Sequence, residues 1–208
     1  MKFLICCSLA CIFCTAPARA ESNRFIGANL QIGSGYQLNT PTLDNYSNSQ
    51  STTSSKITGI PLVLGLGYSL SFGNRTVMGI SYNRNLVNTA SGSQSTSSSG
   101  VVTNSSLGYS NQQQYSLLGG YLLNNFSMVY GKLGYASLTT TRADKDFSLN
   151  GYALGVGYKS FLSDFHYLFA EYNQTRLSNS GIVSATSGVT FDGRSTGHDI
   201  LFGVGLQF

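Results

Sequence analysis

The chain has 208 residues, a formal net charge of +4, only 10% charged residues, 24 glycines, 13 tyrosines and no tryptophan. So slight a basic excess excludes a nucleic-acid surface built on charge, and no stretch is an apolar run long enough to span a membrane as a helix. If the chain enters a membrane it does so as a closed sheet, the other architecture that satisfies every backbone hydrogen bond in lipid.

The N-terminus reads as a cleaved secretory signal peptide over residues 1–20. Lys2 supplies the positive start, Phe3 to Ala16 is almost wholly apolar, and Ala18-Arg19-Ala20 is an A-x-A cleavage site before Glu21. A lipoprotein signal around Ser8-Leu9-Ala10-Cys11 would leave that site unused and is the weaker reading. All four cysteines, Cys6, Cys7, Cys11 and Cys14, lie inside the signal, so no disulfide framework or thiolate metal site is expected. Its removal leaves 188 residues with ten basic and eight acidic side chains, one domain over 21–208.

Eight segments then alternate apolar and small or polar residues with period two. The first, Arg24 to Tyr36, sets Ile26, Ala28, Leu30 and Ile32 against Gly27, Asn29, Gln31 and Gly33. The second, Ile57 to Phe72, sets Leu62, Leu64, Leu66, Tyr68 and Leu70 against glycine and serine, with Pro61 near its start. Thr76 to Leu86 is the third. In the fourth, Gln113 to Leu123, the alternation weakens because Leu118 and Leu122 fall on the polar face. Ser127 to Thr139, Asn150 to Lys159 and His166 to Leu177 follow, and the eighth ends the chain with Ile200, Phe202, Val204, Leu206 and Phe208 on one face.

The connections are lopsided. Those at Gly73-Asn74-Arg75, Asn124-Asn125-Phe126 and Ser160 to Phe165 are short and turn-like. Those starting near Leu38, Asn88 and Ser178 are long and rich in Ser, Thr, Asn and Gly, and are expected to be solvated and mobile; Thr140 to Leu149 is shorter and charged. The expected fold is therefore all-β: an eight-stranded up-and-down antiparallel transmembrane β-barrel with short periplasmic turns and long extracellular loops. A soluble barrel has the same period with its apolar face inside. Against it stand a polar face of Gly, Ser and Asn with scattered charges, which suits a crowded lumen, and tyrosines near the ends of the apolar rows, which suit interfacial girdles.

Tyr130-Gly131-Lys132-Leu133-Gly134-Tyr135, Gly155-Val156-Gly157-Tyr158, Phe169-Ala170-Glu171-Tyr172-Asn173 and Phe202-Gly203-Val204-Gly205-Leu206-Gln207-Phe208 resemble the small outer-membrane β-barrel family that contains opacity-like surface antigens and the OmpA-type membrane domain. The resemblance implies a bacterial outer-membrane location and specifies architecture far better than activity. The peptidoglycan-binding domain of full-length OmpA proteins has no counterpart after Phe208, so wall anchoring is not expected. The outward row Phe202, Val204, Leu206 and Phe208 resembles the C-terminal signal that the barrel assembly machinery reads.

Three groups of residues are candidates for a role. Lys132, Lys159 and Glu171 fall on the interior face of neighbouring strands and are expected to cluster with Tyr130, Tyr167 and Asn173, as a plug or as a gate. Lys56, Arg84 and Arg176 have outward parity near the extracellular strand ends, where a cation can snorkel to lipopolysaccharide phosphates. His166, His198 beside Asp199, and Ser195 show no Ser-His spacing of the known lipid A-modifying barrels, so no catalysis, metal or cofactor is expected. The Gly-x-Gly repeats lie inside strands and are no phosphate loops. The expected role is structural and interactive, with exposed loops meeting host molecules, other cells or phage; a narrow porin is the rival, and a lipid A-modifying enzyme a weaker one.

Overall fold

Period-two alternation is realised as ten strands: β1 (Gly27–Asn45), β2 (Ile57–Gly59), β3 (Leu62–Ser71), β4 (Thr76–Asn85), β5 (Ser91–Ser98), β6 (Val101–Leu122), β7 (Ser127–Arg142), β8 (Lys145–Phe161), β9 (His166–Val183) and β10 (Thr190–Gln207). The structure, a computed structural model, describes residues 24–45, 56–87, 91–98, 101–142, 145–183 and 190–208. The signal peptide expected over 1–20 lies outside these residues, as do 46–55, 88–90, 99–100, 143–144 and 184–189.

Neighbouring strands pair antiparallel in the order β10-β9-β8-β7-β6-β4-β3-β1, and β10 pairs β1 from Asn29↔Gln207 to Asn45↔Phe191, closing the sheet. β2 pairs β1 above β3 and continues the same stave, while β5 pairs only the outer part of β6, so the barrel wall has eight staves. Followed once round the wall, the register that leaves β1 at Leu30 passes Leu66, Tyr82, Tyr115, Tyr135, Tyr152, Arg176 and Thr196 and returns to β1 at Thr40, a stagger of ten residues. Such a stagger tilts the strands by roughly 35–45° and makes the barrel narrow.

Burial settles which face is which. Leu117, Ile80 and Val156 are 66%, 62% and 60% exposed, while Val77 on the other face is 0% exposed. Large apolar side chains stand outward on every stave, which water would not tolerate and lipid requires. A soluble barrel with an apolar interior is thereby excluded.

Two expectations are corrected. The predicted second strand is broken at Ile60-Pro61, where proline lacks the N–H that a continuous ladder needs and its carbonyl instead accepts from Ser34 Oγ at 2.7 Å. The long connections are in large part paired strand rather than loop: β1 runs on to Asn45, β6 begins at Val101, β9 ends at Val183, and β7 and β8 pair as far as Arg142↔Lys145. These stretches hold few apolar residues, so no periodicity marks them, yet the ladder continues because each added residue satisfies backbone groups. A bulge in β6 between Ser110 and Gln113, with Asn111 at φ 52° and its Oδ1 accepting from Gln113 Nε2, restores the parity that turns Gln112 inward.

Candidate functional site

The lumen is built in three layers. The one nearest the short turns is apolar, with Phe25, Val77, Leu118, Leu122, Met128 and Phe161 among its members. Leu118 and Leu122, which blur the sequence pattern of β6, are there to fill it. Phe25 meets Phe161 edge-on at 4.8 Å between ring centroids. The outer layer is apolar too, formed by Ile57, Ala136, Leu138, Leu149, Ala153 and Leu177.

Between them lies a polar layer centred on Glu171, which is 4% exposed. Lys132 Nζ is 2.6 Å from Glu171 Oε2, Tyr130 Oη donates to Oε1 at 2.6 Å, and Asn173 Nδ2 donates to Oε2 at 3.3 Å. Lys132 also reaches the side-chain oxygen of Asn83 at 3.1 Å once that amide is oriented to suit its neighbours. Lys159 differs from the expected Lys–Glu–Lys arrangement. Its ammonium lies 4.6 Å from the Tyr167 ring and 5.5 Å from the Tyr130 ring and donates to Tyr167 Oη at 3.5 Å, rather than pairing with Glu171. The register explains this, since Glu171 faces Gly157 on β8 while Lys159 sits two positions nearer the turns, opposite Phe169. Asp199, weighed in the sequence only as the neighbour of His198, is a further polar member of the lumen. It is 7% exposed inside the barrel, opposite Gln37 in the β1–β10 ladder, and Gln37 Nε2 donates to Gln112 Oε1 at 2.5 Å.

The inward glycines give this layer its room. A Cβ on Gly157 would collide with the Tyr130 ring, one on Gly205 with the Tyr167 ring, and one on Gly155 with Asn173. Two openings inside are small, of about 20 Å³ beside Asp199 and about 10 Å³ beside Lys132 and Glu171, each of one water's size or less.

Of the cationic candidates, Lys56, Arg84 and Arg176 are all exposed and outward. Arg176 lies opposite Thr196, Thr196 opposite Thr40, and Lys56 directly precedes Ile57, whose partner is Asn39. Arg84 stands apart on β4, opposite Leu64 and Gln113. Arg194, not among the candidates, is exposed on β10 opposite Ser178 and Thr42, next to this row.

His198 is turned outward, stacked on Tyr172 with its Nδ1 2.7 Å from the phenol oxygen, whereas Ser195 and Asp199 are buried. Odd and even parity therefore separates the histidine from the two groups that would have to join it in a catalytic set. His166 Nδ1 meets Ser163 Oγ at 2.9 Å in an exposed turn, whose backbone the same oxygen also ties by accepting from His166 N at 3.2 Å.

Phe202, Val204 and Phe208 stand outward at 61%, 52% and 62% exposure, with Leu206 on the same face. Their strand also locks the seam. Gln207, 2% exposed, donates through Nε2 to the carbonyls of Ile26 and Ala28 at 3.2 and 3.1 Å, and Phe208 N donates to Ala28 O at 2.8 Å. At the other side of the seam Gly27 has φ 109°, and a Cβ there would collide with the Phe208 carbonyl.

A family profile described as "Outer membrane protein beta-barrel domain" matches residues 6–208. The chain belongs to this family. The solved outer-membrane protein OprG from Pseudomonas aeruginosa is 13% identical, covers 90% of this chain and 99% of its own, and superposes with a TM-score of 0.56, a likeness of fold. Ail, the attachment invasion locus protein of Yersinia pestis, is 16% identical over 85% of this chain and 99% of its own, with a TM-score of 0.42. Neisserial surface protein A is 16% identical over 88% and 97%, with a TM-score of 0.47. No curated protein matches the sequence. As a family member the chain is an outer-membrane barrel, and its tilted, outward-greasy wall is the physical form of that membership.

Proposed function

We propose that this outer-membrane barrel is an interaction protein of the adhesin or surface-antigen type, in which the transmembrane part is a plugged anchor and the outer hairpins make the contacts. The observation that carries the reading is the filled lumen, with the Lys132–Glu171 layer held between two apolar layers. The paired backbone of β5 with the outer part of β6, a stretch whose sequence is rich in Ser, Thr, Asn and Gln, is the part to which we assign partner contact. At the outer rim Lys56 and Arg176, with Arg84 on the stave next to that of Lys56, are contacts for lipopolysaccharide phosphates, and the row from Phe202 to Phe208 is the segment the barrel assembly machinery reads.

Planar-bilayer recording and a cell-binding assay test this together. The native barrel is expected to give no steady conductance steps, and replacing residues 88–108 with a two-residue turn is expected to abolish binding to host or partner cells while leaving the barrel assembled. Reproducible steps would favour a pore, and unchanged binding by the shortened barrel would remove the hairpins from the function.

A further inference from the structure

On the lipid-facing wall, Gly119 of β6 lies directly opposite Gly131 of β7, and both are exposed. Their neighbours on the same face are large: Leu117 and Leu133 on one side, Tyr121 and Val129 on the other. Nothing within the barrel requires glycine at these two positions. A Cβ on Gly119 would meet no atom within 4 Å, and one on Gly131 only the Gly155 carbonyl at 3.9 Å, in contrast to Gly157, whose space is taken by Tyr130. Neither sits at a register shift of the β6–β7 ladder. Glycine weakens a strand, and one kept in a regular strand marks a place where something approaches the backbone closely. Here the approach comes from the membrane side.

The notch opens into a groove of about 870 Å³ that continues over Ala170 between Tyr158 and Phe202 and begins at Thr76. Because the register climbs from the periplasmic end towards the outer end in passing from β4 to β10, the groove does not girdle the barrel but rises obliquely across it. Five strand spacings make it about 24 Å long. At a tilt near 45° it ascends roughly 17 Å, about a third more than one leaflet of a ~25 Å apolar band. Its low end is at the periplasmic rim, where Arg75, exposed in the turn that precedes β4, adjoins Thr76.

We propose that this groove binds one acyl chain of a glycerophospholipid from the periplasmic leaflet, with the lipid phosphate at Arg75. Length, apolar lining and direction fit a single chain entering from the rim, and the cation stands where the headgroup of such a lipid lies. A second barrel would need a matching ridge, and lipid A would enter from the opposite end.

The test is native mass spectrometry of the mature protein released from micelles containing palmitoyl-oleoyl-phosphatidylglycerol, with lipid A offered in a parallel sample. The native protein is expected to retain one phosphatidylglycerol. Gly119→Leu with Gly131→Leu is expected to reduce retention at least fivefold while the urea midpoint stays the same or rises, since leucine suits a lipid-facing strand better than glycine. Gly119→Ala with Gly131→Ala gives the same readout should the larger side chains hinder refolding. Arg75→Gln is expected to reduce retention of phosphatidylglycerol about threefold or more. Undiminished retention in the filled variants, preferential retention of lipid A, or a dimer that the leucines dissociate would each overturn the proposal.

Discussion

Glu171 receives two tyrosine or asparagine donors and one ammonium in a space that water scarcely enters. A buried ion pair adds little net stability by itself, but removing one partner strands the other, at a cost of about 3–5 kcal/mol. Glu171→Gln should therefore lower the unfolding free energy by that order, and Lys132→Met combined with it should recover part of the loss. Urea unfolding in detergent measures the cycle, with a coupling of about 0.5–3 kcal/mol expected for groups in contact. Additive losses would mean that the pair is solvated. Tyr130→Phe removes a hydrogen bond to a charged acceptor and should cost about 1.5–3 kcal/mol; the same unfolding curves report it, and a neutral effect would show that water replaces the phenol.

At the scale of the element, the seam between β1 and β10 is the one junction of the wall that joins strands distant in sequence. Gln207 holds it from inside and the outward row from Phe202 to Phe208 faces lipid. Gln207→Leu gives up two bonds to backbone carbonyls, so a loss of about 1–3 kcal/mol is expected, together with faster amide exchange at Phe208, whose N–H pairs with Ala28. Protection unchanged at that amide would assign the seam to the ladder alone. Phe208→Asp separates stability from recognition. A carboxylate near the interface of a folded barrel costs only about 0–1 kcal/mol, so a severalfold fall in outer-membrane level, read by fractionation, would exceed anything that stability explains. Normal levels would remove the recognition role from this row.

At the scale of the whole molecule, the pairing of β10 with β1 closes the lipid-spanning part of the wall, which leaves detergent no edge there from which to unravel the sheet. Unboiled and boiled samples of the mature protein should migrate differently on an SDS gel, and identical migration would contradict a closed wall. The same closure makes the three interior layers mutually dependent. The polar layer is buried only because the apolar ones shut it off, and residues from opposite sides of the wall meet there. Opening the lumen should thus require changes in more than one layer.

Alternation with period two, visible in segments such as Leu62 to Leu70 and Ile200 to Phe208, marked the eight staves and which side chains share a face, because parity is a local property of an extended chain, while the outward direction of the apolar face was read from the Gly, Ser and Asn of the other face and from the tyrosines near the ends of the apolar rows. It also placed Lys132, Glu171, Tyr130 and Asn173 inward. The sequence did not reveal the outer continuations of β1, β6 and β9, where polar residues on both faces leave no period to read. Nor did it decide how the charges are partnered. Lys159 and Lys132 share the inward face of their strands, and only the stagger between strands sets one against tyrosine rings and the other against a carboxylate. The partner of Asp199 was hidden for the same reason: its parity is that of Gly203 and Gly205, but only the tertiary closure of β10 on β1 sets it opposite Gln37 inside the barrel.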